Sequence, residues 1–239
     1  MFLSRPPRLA RLLLAFVVFF AATNEAFALT ADDYETTALE GWTVKVEKSL
    51  TGDPRREQAL ALLGSKLAGV RRVVPKAVIP KLQQVTIWLS REVAPGAAYH
   101  PSAGWLEANG RVVEMAQSIE IMDVDDFLEW SKHQPWLVLH ELAHAYHHRF
   151  LPGGYDHPLI FSAYNRAVKG GKYKRVLYYD GSKRKAYALN NPMEFFAEAS
   201  EAYFGRNDFQ PFNRRQLKAF DAKTYRMIEK VWGVESAKR

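Results

Sequence analysis

The sequence predicts an α+β domain, with a small mixed or antiparallel sheet packed on one buried helix and a mostly helical C-terminal part. Three observations carry this. Trp42, Val44 and Val46 alternate with Thr43, Lys45 and Glu47, the pattern of a half-buried strand. Residues 136–150 are apolar around most of a helical circumference, as in a helix enclosed by a core. Helical spacing dominates the second half, over 156–168 and again from Pro192.

In chain order, residues 1–28 read as a secretory signal peptide. Arg5, Arg8 and Arg11 precede an apolar run from Leu12 to Ala22, and Ala26-Phe27-Ala28 offers small residues for cleavage. The run is too short to span a bilayer, and nothing later is apolar enough to do so, so no integral membrane association is expected after cleavage. Residues 29–239 suffice for one domain, with 29–135 the sheet-containing part and 136–239 the metal-binding part. There is no cysteine, which excludes disulfides, sulfur-ligated metals and thiol catalysis. Losing the leader removes three Arg and one Glu and takes the net charge from +7 to +5, which suits contact with an anionic envelope surface.

After the strand at 42–47, Asp53 is an N-cap and Pro54 a first helical residue. Leu60, Leu63, Leu67 and Val70 then continue a helix that Pro75 and Pro80 end. Residues 85–90 form a second strand, and 95–110, carrying Tyr99, His100 and Trp105, read as a loop. Residues 118–122 form a third strand, and Asp123 caps a short helix holding Phe127, Leu128 and Trp130.

Pro135 opens the buried helix. Trp136, Leu139, Ala143, Tyr146 and Phe150 make one apolar stripe; Val138, Leu142 and Ala145 make another. Between them lies a polar sector with His140, Glu141, His144, His147 and His148. Buried polar groups need partners, and His140 and His144, one turn apart, can bind one metal ion. Imidazole suits zinc, and Glu141 stands beside the pair as a general base for a metal-activated water. His147 and His148 lie on the same helix and cannot easily help to surround the ion, so they are placed around the site or at the surface. His157, beside Pro158, stays open as a ligand.

Pro152-Gly153-Gly154 stops this helix, and another runs over 156–168 to Gly170-Gly171. A basic hairpin follows, with strands near 174–179 and 182–189 flanking Asp180-Gly181. Its cations read as a solvated face, with a grip on an acidic partner as the sharper alternative. No phosphate loop or aromatic-interleaved basic platform points to nucleic acid. Asn191 and Pro192 then start a helix on which Glu194, Glu198 and Glu201 share a face. Glu194 is the candidate third ligand, Glu198 the candidate partner of a ligand histidine, and Glu201 reads as solvated.

His140-Glu141-Leu142-Ala143-His144 with Glu194-Phe195-Phe196-Ala197-Glu198-Ala199 some fifty residues later resembles the gluzincin metallopeptidases, and most closely the catalytic domain of anthrax lethal factor and its relatives. The likeness covers about Trp136 to Phe204 and implies a zincin-like fold and one zinc ion on His140, His144 and Glu194. It implies Glu141 as general base, Tyr187 as donor to the oxyanion, and Glu198 outside the ligand shell. Zincins bind extended peptide along an edge strand, for which 118–122 is the candidate, with Ile119 and Ile121 on it and Tyr99 and His100 at the rim. The resemblance therefore implies an exported peptidase acting on a peptide or protein. The alternatives are a metallohydrolase acting on cell-wall peptides or another amide and a non-catalytic zincin-fold module that binds peptide or envelope.

Overall fold

The computed structural model describes residues 29–234, so the expected signal peptide, 1–28, lies outside the described residues. The first feature is a hairpin of which the sequence reading found only one arm. Strand β1 (Tyr34–Leu39) pairs antiparallel with β2 (Trp42–Glu47) across Glu40-Gly41. Both turn residues have positive φ, 53° and 91°, the geometry that matches strand twist in a two-residue hairpin. A Cβ on Gly41 would run into the Gln83 amide, which donates to the Glu40 carbonyl at 3.0 Å.

Helix α1 (Pro54–Val73) starts as its sequence dictates, with the Asp53 carboxylate accepting from the Arg55 N–H at 2.9 Å. It buries Leu63, Leu67 and Val70 against the sheet and the central helix. A short α2 (Ile79–Leu82) leads into β3 (Ile87–Leu89), whose three residues are all buried.

The stretch read as a loop is instead β4 (Glu92–His100) followed by α3 (Ala103–Ala108). Pro95 and Gly96 hid the strand. They are tolerated because the ladder is irregular between Glu92 and Ala97 and β4 lies at the sheet edge. Gly96 has φ 94°, and the Trp130 ring occupies the space its side chain would fill. β5 (Ser118–Asp123) completes the sheet, in the order β1-β2-β3-β5-β4. The sheet is mixed: β2-β3 and β3-β5 are parallel, and the outer pairs are antiparallel. The expectation that 118–122 is an edge strand is therefore corrected. β5 is paired on both sides, Ile119 and Ile121 are in the core, and the strand at this end of the sheet is β4.

α4 (Val124–Trp130), capped by Asp123, leads to the central helix α5 (Leu137–Phe150). Eleven consecutive residues of α5, Leu137 to His147, are buried, so it is enclosed on all sides. β4 and β5 flank it on one side and α7 on another. α6 (Pro158–Gly170) ends at Gly171, with φ 71°. The basic hairpin has only two-residue strands, β6 (Val176–Leu177) and β7 (Lys183–Arg184). The longer arms expected here stop short because Tyr187–Leu189 wind into a 3-10 turn that buries Ala188 and Leu189.

α7 (Pro192–Phe204) begins where Asn191 Oδ1 accepts from the Glu194 N–H at 2.8 Å. α8 (Arg214–Phe220) and α9 (Ala222–Trp232) close the domain. Trp232 is fully buried, stacked on Tyr146 at 4.5 Å, and its indole N–H donates to Ser200 Oγ at 2.9 Å. The fold is thus mixed α+β, with α5 and α7 packed together inside it. Among the described residues, no helix is long and apolar enough to cross a membrane.

Candidate metal centre

Two facing helices bring the ligand atoms together. His140 and His144 project from one side of α5, and Glu194 from the first turn of α7. Glu194 Oε2 lies 3.0 Å from His140 Nε2 and 3.3 Å from His144 Nε2, and the three ligand atoms are all within 4.8 Å of one another. Ligand atoms on a tetrahedral ion with bonds of about 2.0–2.1 Å stand about 3.3 Å apart. The spacing therefore fits a small divalent cation.

The hydrogen-bond chemistry supports the same reading. His140 Nδ1 lies 2.7 Å from Glu201 Oε1. An ionised carboxylate only accepts, so Nδ1 carries a hydrogen bonded to Glu201, and Nε2 is the nitrogen left to face Glu194. A carboxylate oxygen 3.0 Å from that nitrogen requires positive charge between them, a proton or a metal ion. The electrostatics agree. Burial opposes charge on His140, but Glu194 and Glu201 hold its pKa well above the usual imidazole range. Burial would raise the Glu194 pKa, yet the two histidines hold it well below the carboxylate range. His140, His144, Glu194 and Glu201 thus form one close-packed cluster compatible with a metal ion.

Glu141 is 5% exposed, and its Oε2 accepts from the Tyr99 backbone N–H at 2.8 Å. That bond ties the carboxylate to the edge strand, and burial pushes its pKa up. Tyr187 is 46% exposed, with its ring centroid 6.5 Å from that of His140, and partial burial raises its phenol pKa. It stands at the mouth of the cluster.

Several placements differ from expectation. The carboxylate on the His140 ring is Glu201, not Glu198. Glu201 is fully buried, where a solvated residue was expected, because the acidic face of α7 lies against α5 along two turns. Glu198 accepts from Asn207 Nδ2 at 2.9 Å instead. His147 is neither at the surface nor on the cluster. It is fully buried, with rings of Tyr155 and Phe196 each 5.2 Å away, and both its nitrogens lack partners. His148 Nδ1 is 2.8 Å from the Tyr99 hydroxyl. His157 sits at the start of α6 and is not among the clustered ligand atoms.

Of the residues expected to meet substrate, only Tyr99 borders the cluster, through its backbone bond to Glu141. His100 is on the other face of β4, its Nε2 2.8 Å from Glu120 Oε2 in a buried group with Arg111 and Ser90. Ile119 and Ile121 pack in the core.

The sequence reading missed Asn207 and Asp208, both 2% exposed, on the loop after α7. Burial, then the charge of Glu201, pushes the Asp208 carboxyl up to about 7. No periodicity marks a buried carboxylate in a loop, so nothing in the pattern singled it out. A groove of about 940 Å³ is lined by Val73, Lys76, Phe204, Arg214 and Val234, away from the cluster.

No family model, curated protein or solved structure matches the chain.

Proposed function

We propose that the chain is an exported zinc-dependent peptidase of the gluzincin kind, with a zincin-like arrangement of sheet and helices. The observation that carries this is the gathering of His140, His144 and Glu194 around one point, with Glu141 buried beside them. His140 and His144 through Nε2, and Glu194 through its carboxylate, would hold the ion. When bound there, zinc supplies Lewis acidity and a water made acidic enough to ionise near neutrality.

The chain's own residues supply the rest. Glu141 accepts a proton from the attacking water and later delivers one to the leaving amine. The Tyr99 N–H fixes Glu141 Oε2 and leaves Oε1 free for that transfer. Glu201 fixes the tautomer and tilt of His140. The Tyr187 hydroxyl, at the mouth, donates to the oxyanion that forms on the attacked carbonyl, a contribution of about 3–4 kcal/mol for one well-placed donor. β4, rather than the strand first favoured, offers an edge beside α5 for an extended peptide. The net result is hydrolysis: the peptide C–N bond breaks, the carbonyl carbon keeps the water oxygen as a carboxylate, and the amine leaves with the proton that Glu141 delivers.

The test is digestion of a peptide library by the zinc-loaded protein, with and without chelator. Chelator-sensitive cleavage is expected. Absence of cleavage by a protein carrying one zinc would favour a binding module instead.

A further inference from the structure

The basic hairpin has no part in the proposed reaction, yet its second arm runs directly to the metal cluster. β7 ends at Arg184, and Tyr187, at the mouth of the cluster, follows three residues later. Ala186 lies between them, extended with ψ 139° and buried. Its neighbours Lys185 and Tyr187 are both exposed, so they leave the chain on the side away from the core. The register agrees. Leu177 stands opposite Lys183, and Val176 opposite Arg184, whose guanidinium lies over the Tyr178 ring at 4.0 Å. Lys183 and Lys185 alternate with Arg184 and Ala186, and so share the face that Tyr187 continues.

The hairpin is fixed in place. Tyr178 bridges to Phe209 with ring centroids 4.5 Å apart, and Tyr179 stacks on His133 at 4.5 Å. The Ala186 N–H donates to the carbonyl of buried Tyr173 at 2.9 Å. From residue 174 to residue 185 there are five cations, Lys174, Arg175, Lys183, Arg184 and Lys185, and one acid, Asp180, which pairs with Arg184. The other four cations are exposed, and among the described residues they make no ion pair. Like charges crowded on so short a hairpin repel one another, and a patch of one sign beside a cleft concentrates ligands of the opposite sign.

We propose that Lys183 and Lys185 select peptide substrates that carry acidic side chains on one side of the scissile bond. An extended chain advances about 3.3 Å per residue, so Lys185 stands about 7 Å and Lys183 about 13 Å along the backbone from Tyr187. A bound peptide in the same form turns every second side chain to one face at the same pitch. Asp or Glu about two and four residues from the attacked carbonyl then meets these ammonium groups. Charges at an exposed rim act on encounter and KM rather than on bond breaking. The claim rests on the peptidase reading and adds the charge of the substrate to it.

The zinc-loaded chain is given a peptide library, and the cleaved bonds are scored for Asp and Glu on either side. Enrichment two to four residues away on one side is expected. For such a peptide and its counterpart with Gln in place of Glu, kcat/KM should differ at least tenfold at low salt, and high salt should shrink the ratio. Lys183→Glu combined with Lys185→Glu should cancel or reverse it; both side chains are exposed, so the fold does not depend on them. Equal cleavage of acidic and neutral peptides by the wild type would overturn the proposal and leave the peptidase reading intact. Binding is read apart from cleavage, by fluorescence anisotropy of a labelled Glu-rich peptide. Binding by the wild type and not by the double variant, with no bond cut, would sink the peptidase reading and uphold the acidic-peptide surface. Equal binding of Glu-rich and Gln-rich peptides, or capture of phosphatidylglycerol vesicles in place of the Glu-rich peptide, would overturn the proposal.

Discussion

Nδ1 of His140 donates to Oε1 of Glu201 at 2.7 Å, which ties the first histidine of α5 to a carboxylate two turns beyond Glu194 on α7. One helix face thus supplies both a candidate ligand oxygen and the group that orients a candidate ligand histidine. Carboxylate partners of this kind set the basicity and orientation of a metal-bound imidazole. Glu201→Gln should weaken zinc binding about 10–100-fold. Competition against a chromophoric zinc chelator reads this directly, and an unchanged affinity would remove Glu201 from the metal centre.

Tyr187 stands apart from the ligands, exposed and on a short turn. If its hydroxyl meets the oxyanion, Tyr187→Phe lowers kcat about 10²–10³-fold with KM and zinc content little changed. Steady-state kinetics on a peptide substrate check this. A wild-type kcat in the variant would return the residue to the structure of the hairpin.

His147 gives a pH dependence. Burial pushes its pKa down to about 3 from the ordinary 6.5, so the folded protein keeps it neutral. Below pH 6.5 the unfolded chain binds a proton that the fold refuses, and stability falls with pH down to about 3. Between pH 6.5 and 4.5 the loss from this residue amounts to about 2 kcal/mol. His147→Phe, compared with wild type by urea unfolding at both pH values, should show a smaller acid loss. Identical losses would mean that His147 finds a partner in solution.

Gly205 follows α7, and a Cβ there would collide with the indole of Trp136. Gly205→Ala should cost about 1–3 kcal/mol as Trp136 is displaced. Trp136 is the N-cap of α5, so thermal unfolding with and without zinc would show whether the strain reaches the ligands.

Much of this was legible in the sequence because local chemistry decided it. Asp53-Pro54, Asp123 and Asn191-Pro192 start helices where their capping groups require. The apolar stripes of α5 foretold its burial, and spacing alone put Glu194, Glu198 and Glu201 on one face. What stayed hidden depended on partners distant in the chain. β4 carries Pro95 and Gly96 and is recognisable only by its pairing with β5. β5 looked like an edge until both its neighbours were in place. The choice between Glu198 and Glu201 was set by how α5 and α7 align, and a difference of three residues within one helix face carries no sequence signal. Asn207 and Asp208 were missed for the same reason, since loop carboxylates are ordinarily solvated.

The central claim is that Glu141 moves the proton at a zinc ion held by His140, His144 and Glu194. Zinc content and peptide hydrolysis measured together on Glu141→Gln test it most directly. One zinc per chain, as in wild type, with hydrolysis reduced to background is the expected result. Hydrolysis at the wild-type rate by that variant would contradict it.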